Sequence, residues 1–131
     1  MKFEKYLSAY ITLNKFTNYD FDIRTAFAIH KLFKELESSC QFGISRERSL
    51  LEKYNGVVEP NGRINFVHGK DDESIKAGIE NMHKYKEEID ELHAMEITEE
   101  FTPITLSYEA FGDQKVTPSD IASLDDFVIF E

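Results

Sequence analysis

A run of apolar residues at helical spacing extends over about thirty positions and limits the folds open to this chain. From Ile23 onward its members are Ala26, Phe27, Ile29, Leu32, Phe33, Leu36, Cys40, Ile44, Leu51 and Tyr54. So wide a stripe predicts one long helix that packs against more than one neighbour. Asn55-Gly56 should end it, because this pair tolerates the left-handed backbone of a helix C-terminus. Ser38-Ser39 and Gly43 are weak helix formers, so a kink or break near residues 41–44 stays an open alternative.

A shorter amphipathic helix is predicted over residues 3–16. The positions that predict it fall at spacings of three and four, and they are Phe3, Leu7, Tyr10, Ile11 and Asn14. Asp22 follows as the expected N-cap of the long helix, because its carboxylate can accept the unpaired amide N–H groups of the first turn.

A β-hairpin is predicted next, with Val57-Val58 and residues 63–67 as its strands. Glu59-Pro60-Asn61-Gly62 separates them and favours a tight turn, since proline fixes φ and Asn-Gly accepts positive φ. An acidic amphipathic helix follows, capped by Asp71 or Asp72. Its predicted core positions are Ile75, Ile79, Met82, Ile89 and Leu92, with Tyr85 at the margin.

The C-terminal part predicts one further strand and a short helix. Residues 104–108 alternate with period two, and Thr117-Pro118-Ser119-Asp120 combines an N-cap, a proline at the first helical position and an acid at the third. Ile121, Leu124, Phe127 and Val128 are expected on that helix. The chain therefore predicts a single domain over residues 1–131 with a helix-dominated α+β fold. Its elements are a short N-terminal helix, a long helix that could be kinked, a β-hairpin, an amphipathic acidic helix, one strand and a short C-terminal helix.

Composition excludes several classes of protein. The 131 residues are 41 % apolar, which is too high for a disordered chain, and no stretch approaches the roughly 18 apolar residues of a membrane span. One cysteine excludes an intrachain disulfide framework. Residues 1–70 carry 11 basic and 8 acidic side chains, whereas residues 71–131 carry 4 and 17, which together give a net charge of −10. We expect an acidic cytoplasmic protein, with two electrostatically different faces if these halves do not interleave in the fold.

No motif predicts catalytic, cofactor-binding or metal-binding residues. Glu80 and His83, and likewise Asp90 and His93, form acid-x-x-His elements, but both lie on one helix about 15 Å apart and cannot share a metal pair. The two histidines are interpreted as surface side chains.

The remaining reactive side chains favour structural roles. His30 is expected to be half-buried and hydrogen-bonded beside the apolar stripe, and Cys40 to be a buried structural thiol. His68 has no catalytic partner at motif spacing. We therefore expect a protein that is not an enzyme, and a small enzyme is the least favoured alternative.

The charge pattern bears on possible partners. The basic residues of the long helix alternate with glutamates, which disfavours direct nucleic-acid binding, and no segment favours membrane binding. Glu73, Glu80, Glu87 and Glu91 fall on one face of the acidic helix and are the candidate partner-binding residues. A solvated helix face is the competing interpretation, because Lys76 and Lys84 lie among them.

The chain resembles small proteins of unknown function encoded by phages and prophages of Gram-positive bacteria. The resemblance lies in residues 42–54, with Arg46-Glu47-Arg48, and in Asn61-Gly62-Arg63-Ile64. In the C-terminal part it lies in residues 87–92, Ile104-Thr105-Leu106-Ser107 and Thr117-Pro118-Ser119-Asp120. Asn55, inserted between Tyr54 and Gly56, departs from their pattern. The resemblance implies a mobile-element origin and a location inside a bacterial host, and it implies no catalytic residues.

Two functional hypotheses follow. The first is a non-enzymatic accessory protein of a phage or mobile element that acts through contacts with a phage or host protein and could form a homodimer through its long helix. The second is an acidic inhibitor of a host nucleic-acid-binding defence protein, in which the four glutamates, with Asp125 and Asp126, imitate phosphates.

Overall fold

A computed structural model describes all residues from Met1 to Glu131 and shows a helix-dominated α+β fold, as the sequence predicts. The helices are α1 (Phe3–Phe16), α2 (Ile23–Lys53), α3 (Asp72–His93) and α4 (Pro118–Ser123), and a 3-10 helix covers Tyr108–Phe111. The strands are β1 (Val57–Val58), β2 (Ile64–Asn65), β3 (Ile104–Leu106) and β4 (Val128–Phe130). No helix combines the length and apolar character that crossing a bilayer requires.

The chain divides into two compact units. The first comprises Met1–Gln41 and Glu96–Glu131, and the second comprises Phe42–Met95. Because the C-terminal segment packs with the N-terminal one, the basic and acidic halves of the sequence interleave. The first unit carries 7 basic and 14 acidic side chains and the second carries 8 and 11, so both are acidic. The expected division between a basic and an acidic half is therefore absent. The prediction of one domain over residues 1–131 stays a prediction.

The core of the first unit is built on aromatic side chains of α1. Phe3, Tyr6 and Phe16 are fully buried, and the Tyr6 ring packs edge-on against Phe127 with centroids 5.4 Å apart. The predicted apolar face of α1 is partly wrong, because Ile11 is 59 % exposed. The helix turns its larger aromatic surface inward, and burying that surface contributes more than burying a single isoleucine.

α2 runs without a break through Ser38-Ser39 and Gly43, so the alternative of a broken helix is not observed. Both serine hydroxyls bond the carboxylate of Glu99, at 2.7 Å from Ser38 Oγ, and therefore do not compete for the helix backbone. The predicted ends are confirmed. Asp22 accepts the Thr25 amide at 3.3 Å, and Asn55 takes φ 56° while the Gly56 amide bonds the Leu51 carbonyl at 2.8 Å.

β3 and β4 form a parallel pair in which Ile104, Thr105 and Leu106 face Val128, Ile129 and Phe130. This strand pair corrects the sequence prediction, which placed Phe127 and Val128 on the C-terminal helix. α4 ends at Ser123, and the Phe127 and Val128 amides both bond the Leu124 carbonyl, which closes the helix. Beyond that point the chain contains β-branched and aromatic residues that suit a strand.

In the second unit, the predicted hairpin is present as the antiparallel pair β1 and β2. It packs against α3 at Gly78, where an added Cβ would lie 2.6 Å from Val67 Cγ2. This close contact corrects the predicted core of α3. Ile75 and Ile79 are 39 % and 46 % exposed, because the buried face is centred on Gly78 and Leu92 instead.

Candidate protein-interaction surface

The four candidate glutamates all lie on exposed positions of α3, but they do not form a single site. At 100° per residue, Glu73, Glu80, Glu87 and Glu91 project from the face opposite buried Gly78. Glu80 pairs with Lys84 at 3.2 Å, one helical turn away. Glu91 borders a concave surface.

That concave surface is a groove of about 380 Å³ between α2 and α3 in the second unit. We call it the Phe42 groove, and it is lined by Phe42, Arg46, Leu50, Glu88, Glu91, Leu92 and Met95. Leu50 and Leu92 are buried, whereas Phe42 is 60 % and Met95 37 % exposed. The groove therefore exposes an aromatic ring and a flexible thioether beside an aliphatic patch.

Charged side chains border the apolar part of the groove. Glu88 lies 3.4 Å from Lys53 Nζ, and hydrogen bonds from Tyr54 and Lys53, with the nearby charge of Arg46, hold the pKa of the Glu88 carboxyl below its ordinary value. Glu88 is therefore ionised at neutral pH. With Glu91 and Arg46, the groove carries two negative charges and one positive charge.

A histidine contact joins the two helices that form the groove. His93 Nε2 lies 2.7 Å from Glu47 Oε1, and each side chain is 31 % exposed. His93 thus contacts α2 and is half-buried, where sequence analysis interpreted it as a surface residue. The structure contains no group of three or more His, Cys, Asp or Glu side chains placed to hold a metal ion.

Two other predictions about reactive residues have opposite outcomes. His30 is exposed and not half-buried, because α2 turns Ile29 and Leu32 inward at that level. Cys40 is fully buried, as predicted. Burial raises the pKa of the Cys40 thiol to about 12, and the negative charge of Glu99 adds to the effect. The thiol is therefore protonated and unreactive in the native state.

Phe42 and Met95 are not among the functional candidates predicted from the sequence. On α2, Phe42, Arg46 and Leu50 follow each other at intervals of one helical turn. On α3, Glu88 and Leu92 do the same, and Met95 lies two residues beyond the end of that helix. This spacing is a signal that two helices could share a groove. It does not show which apolar residues stay exposed, because that depends on how closely the helices approach.

Comparison with known proteins adds no relative: no protein-family model, no curated protein and no solved structure matches this chain.

Proposed function

We propose that this chain is a non-enzymatic accessory protein of a phage or mobile element that binds a partner protein through the Phe42 groove in the cytoplasm of a bacterial host. The observation that supports the proposal is the exposure of Phe42, 60 %, at the edge of a preformed apolar groove. The mobile-element origin is supported by the resemblance in residues 42–54, a segment that supplies one wall of the groove.

The groove has features that protein interfaces use. Aromatic residues and methionine are enriched in interface cores, and a few of them supply most of the binding free energy. Phe42 and Met95 would contribute such anchors over the buried Leu50 and Leu92 side chains. Glu88 is paired with Lys53, whereas Glu91 has no salt bridge, so the fitting partner segment is an apolar side chain flanked by a basic one that meets Glu91.

Affinity capture from a lysate of infected host cells tests this proposal. The baits are the wild-type chain, Phe42→Ser and a control, Ile11→Ser, which changes an equally exposed residue (59 %) in the other unit. We expect one protein to be retained by wild type and by Ile11→Ser at a stoichiometric amount, and to be lost with Phe42→Ser. Retention by all three baits would contradict the assignment of the groove.

Phosphate imitation is the second candidate, and the exposure of all four glutamates on one face of α3 favours it. The Glu80–Lys84 pair is unfavourable for it, since a lysine on that face would repel a basic groove. Glu80→Lys with Glu87→Lys separates the two functions, because neither residue lines the Phe42 groove. Phosphate imitation requires that this double change weaken partner binding strongly and that salt weaken wild-type binding steeply. Groove binding requires that the double change have little effect.

Self-association through α2 is a further part of the proposal. Ile23 and Phe27, one helical turn apart, are 87 % and 67 % exposed. A second copy that covered both side chains would remove this apolar area from water. Sedimentation of wild type and Phe27→Ser tests it: a dimer that becomes monomeric with the substitution supports the contact, and a monomeric wild type contradicts it.

A further inference from the structure

A second cavity in the Phe42–Met95 unit lies where the end of α2, the hairpin and the first half of α3 meet. Its volume is about 550 Å³, within the range of small-molecule sites. We call it the Glu52 pocket, after the one carboxylate that lines it. Its lining also includes Asn55, Phe66, His68, Ser74 and Asn81.

Close packing around two glycines fixes the walls of the pocket. A Cβ at Gly56 would lie 2.9 Å from Phe66 Cε1, and a Cβ at Gly78 would lie 2.7 Å from the Phe66 carbonyl oxygen. The hairpin therefore touches the end of α2 and the side of α3 at van der Waals distance. Such contacts leave little room for the walls to move, so the pocket is preformed.

The polar groups that line the pocket are mainly acceptors. Glu52 is exposed and its carboxylate has no ion pair, in contrast to neighbouring Lys53, which pairs with Glu88. The Ser74 hydroxyl donates its proton to Asp71 at 2.6 Å, so its oxygen is left to accept. His68 Nε2 bonds the carbonyl oxygen of Asn55. Since a carbonyl can only accept, Nε2 carries a proton, and in the tautomer with that single proton Nδ1 is the acceptor.

We infer that the Glu52 pocket binds a guanidinium group, either that of a free small molecule or that of an arginine side chain. Guanidinium is a planar cation with five N–H donors and no acceptor, which matches a carboxylate, a hydroxyl oxygen, an imidazole nitrogen and the amide oxygen of Asn81. Phe66, which is buried, adds apolar lining beside these acceptors. No lysine or arginine lines the pocket, so nothing there offers a charge partner to an anion.

Calorimetric titration of the full chain with L-argininamide at neutral pH tests this inference. L-Citrullinamide, which has the same shape but a neutral urea group, is the matched probe. Glu52→Gln removes the charge without changing the shape, Ala77→Leu fills the pocket from the α3 side, and Glu59→Gln changes an acid that does not line it.

We expect saturable binding of L-argininamide and none of L-citrullinamide. Glu52→Gln should weaken binding about tenfold or more, Ala77→Leu should abolish it, and Glu59→Gln should leave it unchanged. No binding up to about 10 mM, equal binding of both probes, or full binding by Glu52→Gln would overturn the inference. A capped Gly-Arg-Gly peptide separates the two sources: tighter binding than L-argininamide assigns the pocket to a protein side chain, and weaker or equal binding assigns it to a small molecule. These titrations use small probes and need no partner protein. Binding to the Glu52 pocket can therefore succeed or fail whether or not the Phe42 groove binds a partner.

Discussion

Cys40 shows how burial controls chemistry at a single residue. Its side chain is fully inaccessible on α2, and the pKa of the thiol is raised to about 12 by desolvation and by the nearby Glu99 carboxylate. A thiolate is the reactive form of cysteine, so this environment suppresses reaction in two ways: it blocks reagents and it disfavours the charged state.

We therefore expect Cys40 to resist a thiol reagent at pH 8 in the native protein and to react fully after unfolding in guanidinium chloride. The chain has one cysteine, so with a thiol reagent that releases a coloured product the absorbance reports the reaction of Cys40 alone. Rapid stoichiometric labelling without denaturant would contradict the burial of the side chain.

Single residues that act locally could be predicted from the sequence. Asp22 and Thr117 are predicted N-caps, and Asp71 is one of two predicted candidates with Asp72. Asp22, Asp71 and Thr117 each accept the backbone N–H three residues later, as in the 3.1 Å bond from the Ser74 amide to Asp71. His30 and Phe42 could not be predicted in this way. Their exposure depends on which side of α2 meets its neighbours, and helical spacing alone does not determine that.

At the scale of secondary-structure elements, α3 illustrates packing that overrides propensity. Glycine inside a helix costs about 1 kcal/mol relative to alanine. At Gly78 the hairpin takes the space of a side chain, since a Cβ would meet backbone atoms of Phe66 and Val67 at 2.7 Å and 2.9 Å.

Gly78→Ala should for this reason lower the free energy of unfolding, by about 1–3 kcal/mol, where propensity alone would raise it. The reverse change at the exposed neighbouring position, Ala77→Gly, measures propensity alone and should cost about 1 kcal/mol. Urea unfolding of both variants gives the two values. A Gly78→Ala protein more stable than wild type would show that the hairpin leaves room for a side chain at position 78.

The capping box of α4 supports a second prediction for an element. Thr117 Oγ1 accepts the Asp120 amide at 3.1 Å, and Asp120 accepts the Thr117 amide at 3.0 Å. Thr117→Ala should lower the free energy of unfolding by about 1 kcal/mol, and Ser119→Ala, at an exposed position of the same helix, should lower it by a few tenths at most. Equal losses in thermal or urea unfolding would contradict a specific role for the cap.

The elements that the sequence predicts correctly differ from those it does not in how far apart along the chain the residues that specify them lie. α1, α2 and the hairpin depend on neighbouring residues, and their positions were predicted closely. The sequence does not predict β4, because three residues are too few to show the alternation of apolar and polar positions that is typical of a strand. Its pairing with residues 104–106 also joins parts of the chain more than twenty residues apart. The same holds for the Phe42 groove, which needs residues from α2 and α3 together.

At the scale of the whole molecule, ionised carboxylates in both units stabilise the folded state. Hydrogen bonds from Ser39 and Ser38 lower the pKa of Glu99, and those from the Ser74 side chain and amide lower the pKa of Asp71. A carboxyl whose pKa is lower in the folded than in the unfolded chain stabilises the fold above its unfolded pKa. That contribution is lost as pH falls through the folded pKa.

Stability should accordingly be constant from neutral pH to about pH 5 and decrease below about pH 4, where carboxylates of the unfolded chain take up protons. Urea unfolding across this range checks the direction. Glu99→Gln should make the decrease shallower, since this amide does not titrate. A free energy of unfolding that rises on acidification would show that relief of the −10 net charge outweighs these bonds.

We propose that the chain works by binding a protein through the Phe42 groove. The most direct measurement is the dissociation constant of the captured partner for wild type, Phe42→Ser and Ile11→Ser, determined with purified proteins. We predict that Phe42→Ser raises the constant tenfold or more, about 1.4 kcal/mol, while Ile11→Ser leaves it unchanged. Equal constants for wild type and Phe42→Ser would contradict the claim.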